Sequence, residues 1–472
     1  MLFNSYIFIF ALLPVCLIGY TALKRAGKVR LNMLWLILCS LVFYGYFHPA
    51  YLAVLIGSIL VNYLFFLWQI RTGDPKKRKA IMITAVILNL LSIFVFKYYD
   101  FFVSNINGLF QARLPYLNVL LPLGISFFTF QQISFQVDTM RGETKDYGFL
   151  EYALFVGFFP QLIAGPIVLH SEMIPQFRQA LRQKVSKQMA ADGLFLFALG
   201  LGKKVLLADI YGRAVDAAFQ DVWKLNAVTA FCVMLAYTLQ IYFDFSGYCD
   251  MAIGLGRMFG VEIPLNFDMP YKSTNITEFW ARWHMTLTRF FRTYLYFPLG
   301  GNRKGRARTY LNMMIVFLVS GLWHGADWTF VLWGGLHGAL LVFDRMFKDR
   351  LRRLPKWLTW CFTFGFVNVA WVLFRADGIR HFLSFMKRFL YLDGFKLTDG
   401  VVNAVGNAAL LPVYLVLGML IVLLVPKAYD LTARAKDPDG RFTFLRAAAA
   451  TVILTISVLN LSSVSTFLYF NF

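Results

Sequence analysis

Apolar residues run through this chain in blocks of two kinds. The first kind is long and nearly unbroken, as in Tyr6–Ala22, Met33–Phe47, Ala50–Ile70, Ala80–Phe96, Val413–Val425 and Ala447–Ser463. Such blocks suit helices that cross a hydrocarbon core about 30 Å thick. The second kind fills the middle of the chain and is broken by Gly, Pro and polar side chains, as in LPLGISFFTFQQ, FFPQLIAGPI and QIYFDFSGYCDMAIG. Irregular backbone and polar groups persist at membrane depth only when buried in protein or lining a cavity. The pattern predicts an all-α polytopic integral membrane protein with tilted or re-entrant helices around a polar tunnel. Two helical hairpins are expected over 1–100, a functional core over 114–375 and plain spans over 376–472, all in one domain, 1–472. No fixed-period repeat or low-complexity linker interrupts it.

Charge refines this picture. Lys and Arg number 46 against 25 Asp and Glu, for a net charge of +21. The basic residues sit in short loops between apolar blocks: KRAGKVR at 24–30, KKRK at 76–79, NRKGRAR at 302–308, KDRLRR at 348–353, and the stretch 427–446. That is the positive-inside pattern of cytoplasmic loops facing anionic lipid, not a nucleic-acid footprint. It places the N-terminus outward. The first block lacks a basic leader and a small-residue cleavage site, so it reads as a retained span. Five scattered cysteines with no CxxC spacing indicate neither a metal site nor a disulfide framework.

The most informative stretch is SGLWHGADWTFVLWGGLHGALLVF, Ser320 to Phe343. It reads as one membrane span, yet it holds His324 and His337. Ionisable groups at membrane depth are costly and mark function by default, and histidine moves protons near neutral pH. Asp327, three positions after His324, shares its face if the helix is continuous, and is placed to orient that imidazole as a base. It equally suits a helix cap, since Gly325 is a breaker. On one helix, thirteen residues put His337 about 20 Å from His324, too far to serve the same reacting atom. His337, between glycines, is left as a tunnel-lining or close-packing residue. His284, in EFWARWHMTLTRFFRTY, lies either on an interfacial amphipathic helix with snorkelling arginines or facing the tunnel. His48 and His381 read as surface residues, and His170 has no assigned role.

Asp244 and Asp250 stand in the apolar run QIYFDFSGYCDMAIG. They suit a proton relay, metal binding or tunnel lining, or else hydrogen bonding to nearby Tyr and Ser groups or loop backbone amides. The FDFSG serine lacks the GxSxG elbow, and no P-loop or dinucleotide fingerprint occurs in context.

Read in order, LPLGISFFTFQQISFQVD, FFPQLIAGPI, QIYFDFSGYCDMAIG, NFDMPYKSTNITEFWARWHMTL, YLYFPLGGNRKG, SGLWHGADWTFVLWGGLHG and WVLFRA resemble the membrane-bound O-acyltransferase family over nearly the whole chain. The resemblance is to the bacterial alginate O-acetylation branch and, more distantly, to the teichoic acid D-alanyl transfer proteins. It implies roughly 11–13 transmembrane helices plus re-entrant ones. It also implies a catalytic pair, carried here by His284 in RWH and His324 in LWHG, forty residues apart. Cys249 stands where the branch carries serine, with no evident effect on the chemistry.

The resemblance implies acyl transfer from a cytoplasmic thioester, acetyl-CoA or another, to a hydroxyl acceptor, with no tightly bound cofactor and no metal. The acceptor chemistry is O-acetylation of an extracytoplasmic polysaccharide such as alginate, through a partner protein outside a bacterial plasma membrane. His324 would be the general base and His284 would orient a substrate or steady the oxyanion. Arg282, Arg303, Lys304 and Arg306 would meet the donor's phosphates. The rival reading is a transporter or flippase that moves acyl groups or polymer without catalysis. It predicts repeated halves, which the sequence lacks.

Overall fold

A computed structural model describes residues 1–144, 146–392, 394–433, 441–461 and 467–468. Among the described residues the regular structure is entirely helical. Five helices are long and apolar enough to cross a membrane: Phe8–Arg25, Ala50–Arg71, Pro75–Phe110, Ala227–Met258 and Lys356–Arg375. A sixth candidate, Asp399–Val405 with Leu410–Leu424, bends by 69° at its break. Val29–Gly45 and Phe444–Leu459 are shorter apolar helices. The eleven to thirteen spans implied by resemblance thus do not occur as so many uninterrupted apolar helices among the described residues. Apart from Ala227–Met258 and Lys356–Arg375, the middle of the chain is built from shorter or interrupted helices. The basic stretch 427–446 and the block Ala447–Ser463 fall partly outside the described residues.

The chain packs as two compact units, one of Met1–Ala198 with Cys249–Leu265, the other of Leu199–Tyr248 with Asn266–Phe472. In the first unit, local signals set the hairpins. Asp74 caps the Pro75–Ile93 helix by accepting from the Lys76 N–H at 2.8 Å, and Pro75 opens it. The helices Ala50–Arg71, Pro75–Ile93 and Ile125–Met140 are joined by buried amides. Asn62 donates to Gln132 (2.5 Å), Asn89 to Asn62 (2.7 Å), and Gln69 to Gln136 (2.6 Å). Gln136 donates to the Asn62 carbonyl (2.7 Å) and Ser58 to Gln132 (2.7 Å). Such bonds between apolar helices replace the hydrophobic drive that lipid does not supply. His170 is also here, buried between Asp138 (3.3 Å) and the Tyr147 hydroxyl (3.4 Å), tying the Ile125–Met140 and His170–Ala180 helices together. His48 is exposed.

In the second unit the Ala227–Met258 helix is held to Lys356–Arg375 by a Thr238 to Asn368 bond of 2.6 Å. Buried Asp244 accepts from Lys204 at 2.6 Å and from the Leu468 N–H at 2.9 Å. Lys204 also meets Asp209 at 2.9 Å. Asp244 is therefore part of a compensated buried ion pair that fixes helices and the chain's last described residues, the arrangement in which a buried charge is tolerated.

Candidate active site

The stretch Ser320–Phe343 is not one span. The helix Arg306–His324 ends at His324, and a new helix, Trp328–Met346, returns beside it. A Cβ on Gly325 would stand 2.0 Å from the Phe330 ring, so the turn needs glycine there. Asp327 caps the returning helix, its carboxylate accepting from the Thr329 N–H at 2.8 Å. It does not orient His324, because the helix on which the two would share a face stops between them. The legs touch backbone to backbone: a Cβ on Gly321 would lie 2.2 Å from the Phe330 carbonyl, and one on Gly334 2.3 Å from that of Phe317. The separation expected between His324 and His337 on a single helix also fails. The Trp333 ring lies 5.1 Å from His324 and 4.6 Å from His337.

His284 stands at a second break. The helix Ile276–Arg282, capped by Asn275, gives way to Met285–Phe291 through His284, whose φ of 45° and ψ of 51° are left-handed. A side-chain-bearing residue in that region costs about 1–3 kcal/mol and needs surrounding structure to hold it. Asn266 does so. Its backbone carbonyl accepts from the Met285 N–H (2.9 Å), and its side-chain oxygen accepts from the Thr286 N–H (3.2 Å) and hydroxyl (2.9 Å). The same oxygen faces His284 Nδ1 at 3.1 Å. A backbone N–H only donates, so the atom at the centre is the amide oxygen. Nδ1 therefore carries a proton, and Nε2 of the neutral ring keeps its lone pair. This short broken segment does not span, and complete burial pushes the His284 pKa down, favouring the neutral imidazole.

Both breaks meet at Trp323, whose ring is 6.1 Å from His284 and 4.9 Å from His324. Phe245 covers the other side of His284 at 4.8 Å, and Phe374 lies 5.3 Å from His324. His284 is fully buried and His324 nearly so. Two imidazoles thus border one aromatic cluster, each at the end of a helix.

A cavity of about 1330 Å³ opens in the same unit between the hairpin and the helices around His284. It exceeds the roughly 300–1,000 Å³ usual for small-molecule sites. Arg292, Arg345, Lys348, Arg352 and Lys356 line it. So do Trp280, Phe317 and Ser320, the last lying one helical turn before His324. Trp280 donates its indole N–H to His337 Nδ1 at 3.2 Å.

A family model of the membrane-bound O-acyltransferases matches residues 40–387, well over half of the chain. The chain belongs to the membrane-bound O-acyltransferase family. It is 40% identical to a peptidoglycan O-acetyltransferase of Helicobacter pylori, over the whole of this chain and 98% of that protein. It is 38% identical to a probable alginate O-acetylase of Pseudomonas aeruginosa, over 80% of this chain and 73% of the relative. A teichoic acid D-alanyltransferase of Bacillus subtilis matches at 26% over 80% of this chain and 99% of its own length. The protein is an acyltransferase, multi-pass in a membrane.

Within this acyltransferase the residues singled out by sequence fall into three groups. His284, His324 and His337 are gathered around the aromatic cluster. Asp244 is engaged by Lys204, and Asp250, six residues further along the same helix, belongs to the other compact unit. The four basic residues expected to meet the donor do not line the cavity. Arg282 pairs with Glu278 at 2.8 Å, while Arg303 and Lys304 are exposed before the Arg306–His324 helix and Arg306 is exposed at its start. His381 lies beside Asp377 at 3.7 Å. Sequence reasoning missed Asn266 and the cavity's own basic residues. Asn266 sits eighteen positions before His284, and no local spacing links the two. KDRLRR did signal charge, but not that it would face a cavity.

Proposed function

We propose that this acyltransferase moves an acetyl group from a cytoplasmic thioester, acetyl-CoA or an equivalent, to a hydroxyl destined for an extracytoplasmic polysaccharide. The observation that carries the reading is the placement of His324. It ends one leg of a hairpin whose two other ends bear the basic runs 302–308 and 348–353. By the positive-inside rule those runs face the cytoplasm of a bacterial plasma membrane and the N-terminus faces outward. The cavity's basic side chains then receive the donor's phosphates, and its inner wall delivers the acyl group towards His324.

In this mechanism His324 takes the proton from the acceptor hydroxyl as its oxygen attacks the thioester carbonyl. The tetrahedral intermediate collapses, the C–S bond breaks, and the thiolate leaves with the proton that His324 returns. His284, its Nδ1 held by Asn266, presents an accepting Nε2. That tautomer suits it to orient a hydroxyl rather than to donate to an oxyanion. The indole and phenyl walls keep water from the thioester. A protein outside the membrane accepts the acetyl group and passes it to the polymer. Peptidoglycan is the first polymer to test, because the relative named for it is 40% identical over the whole of this chain, against 35% for an alginate-named relative that also matches end to end. Alginate stands beside it.

The test uses the full chain in proteoliposomes with acetyl-CoA and extracytoplasmic extract. Release of free CoA together with base-labile acetate on the polymer is expected, and both should vanish in His324→Ala. Passage of label without CoA release would replace this reading with the transporter.

A further inference from the structure

The Trp280–His337 bond lies behind the cavity wall and outside the pair of imidazoles just given roles. Trp280 projects from the Ile276–Arg282 helix and lines the cavity. Its ring meets Phe317, Trp333 and His337 nearly edge-on, at 5.1, 5.6 and 5.1 Å between centroids. Edge-to-face contacts of this kind are a preferred aromatic geometry and hold the indole among these rings. The one directional contact is the indole N–H to His337 Nδ1, at 3.2 Å. An indole nitrogen only donates, so Nδ1 of His337 holds a lone pair and the proton of the neutral ring sits on Nε2. Nε2 is buried with no hydrogen-bond partner among the described residues, and His337 is wholly inaccessible. A buried donor without a partner is unfavourable. Phenylalanine would fit among Phe317, Trp333 and Phe366 without that cost. What histidine adds at this position is therefore the acceptor on Nδ1.

We infer that His337 is a positioning residue that locks the Trp280 ring across the inner end of the cavity, and that the pair restricts the enzyme to short acyl thioesters. The inference rests on the cavity being the donor site. His337 touches no reacting atom. It acts through Trp280, whose ring stands 5.1 Å from Phe317 in a cavity wall that Ser320 also lines, one turn before His324. With the bond intact the ring stays in place and a two-carbon acyl group passes. Without it the ring turns aside and longer chains are admitted. A hydrophobic passage discriminates by roughly 10- to 200-fold per methylene, enough to separate acetyl from butyryl donors.

The experiment measures kcat and KM for acetyl-CoA and butyryl-CoA with the full chain in proteoliposomes. His337→Phe fills the space and removes the acceptor. His337→Asn keeps an oxygen where Nδ1 stands, and Trp280→Phe removes the same bond from the other side. The butyryl-to-acetyl ratio of kcat/KM is expected to rise about tenfold in His337→Phe and in Trp280→Phe, and to stay near wild type in His337→Asn. Because the ratio is taken within one preparation, loss of folded protein does not move it. An unchanged ratio in both phenylalanine variants overturns the inference. So does an equal fall in kcat for both donors with an altered pH profile, which would make His337 a proton carrier. Failure of the wild type to release CoA from either donor would instead overturn the donor reading beneath it.

Discussion

Each compact unit buries a set of polar side chains, and the two sets are handled in opposite ways. In the first, Ser58, Asn62, Gln69, Asn89, Gln132 and Gln136 bond mainly to one another across three helices. In the second, His284, His324 and His337 are set among indole and phenyl rings. Directional bonds engage Nδ1 of two of them, His284 with the Asn266 side-chain oxygen and His337 with the Trp280 indole N–H. Amides bonded across helices act as glue, even though the Gln69 side-chain oxygen and the Gln132 side-chain nitrogen have no partner among the described residues. Imidazoles spaced by aromatic rings cannot neutralise one another, so their lone pairs and protons are set by what each ring nitrogen meets. Burial of polarity alone therefore does not mark a site. The discriminating feature is whether the buried groups bond to each other.

This contrast breaks most decisively at His324. His324→Ala should lower acetyl transfer about a thousandfold or more while the yield of extracted, folded protein stays at wild-type level; retained turnover would end its role as base. His284→Ala should follow with about a hundredfold loss. Asn266→Ala should reproduce part of that loss, with a stability cost of about 1–3 kcal/mol for the donors left unpaired. An effect on stability with no change in kcat would make Asn266 a fold residue only.

The amide set should respond in the reverse sense. Asn62→Leu is expected to cost about 1–2 kcal/mol in unfolding from detergent and to leave turnover per folded molecule unchanged. Replacing Asn62 and Gln132 together should cost less than the sum of the two single changes, since fewer partners are stranded. A fall in kcat would put the first cluster on the substrate path and erase the distinction drawn here.

A surface ion pair offers the smallest effect and a control. Arg178 donates to both carboxylate oxygens of Glu151, at 2.5 and 2.7 Å, and holds its carboxyl below the usual range. A depressed folded pKa gives stability that is complete above the unfolded value of about 4.3. That stability is lost as pH falls through the folded value. Glu151→Gln should flatten the acid limb of thermal stability against pH, with kcat unaltered near neutrality.

The long apolar blocks were legible because twenty apolar residues leave a helix few other places to go. Ala50–Ile70 is a helix over Ala50–Arg71, and Ala80–Phe96 lies within Pro75–Phe110. The broken middle was legible as broken, but not where each break does its work. Ser320–Phe343 is apolar on both sides of Gly325, so hydropathy runs straight through the turn. Gly325 as a breaker and Asp327 as a cap were the hints at it. The left-handed turn at His284 depends on an asparagine eighteen residues earlier, a tertiary cause with no local mark. The cavity collects basic residues from two separate stretches, Arg292 and 345–356, whereas neighbourhood along the chain favoured four others. Resemblance carried the pairing of His284 with His324, which periodicity left open.

The hairpin also acts as a ruler. Eighteen residues separate Arg306 from His324, a rise of about 27 Å, and the glycine contacts between the legs leave little room for that length to change. Anything gripped at the basic end has to bridge the interval. A compact activated acyl group, such as an acyl phosphate, would stop far short of the imidazole. A donor bound as proposed would carry its cargo at the tip of a long, thin, flexible arm.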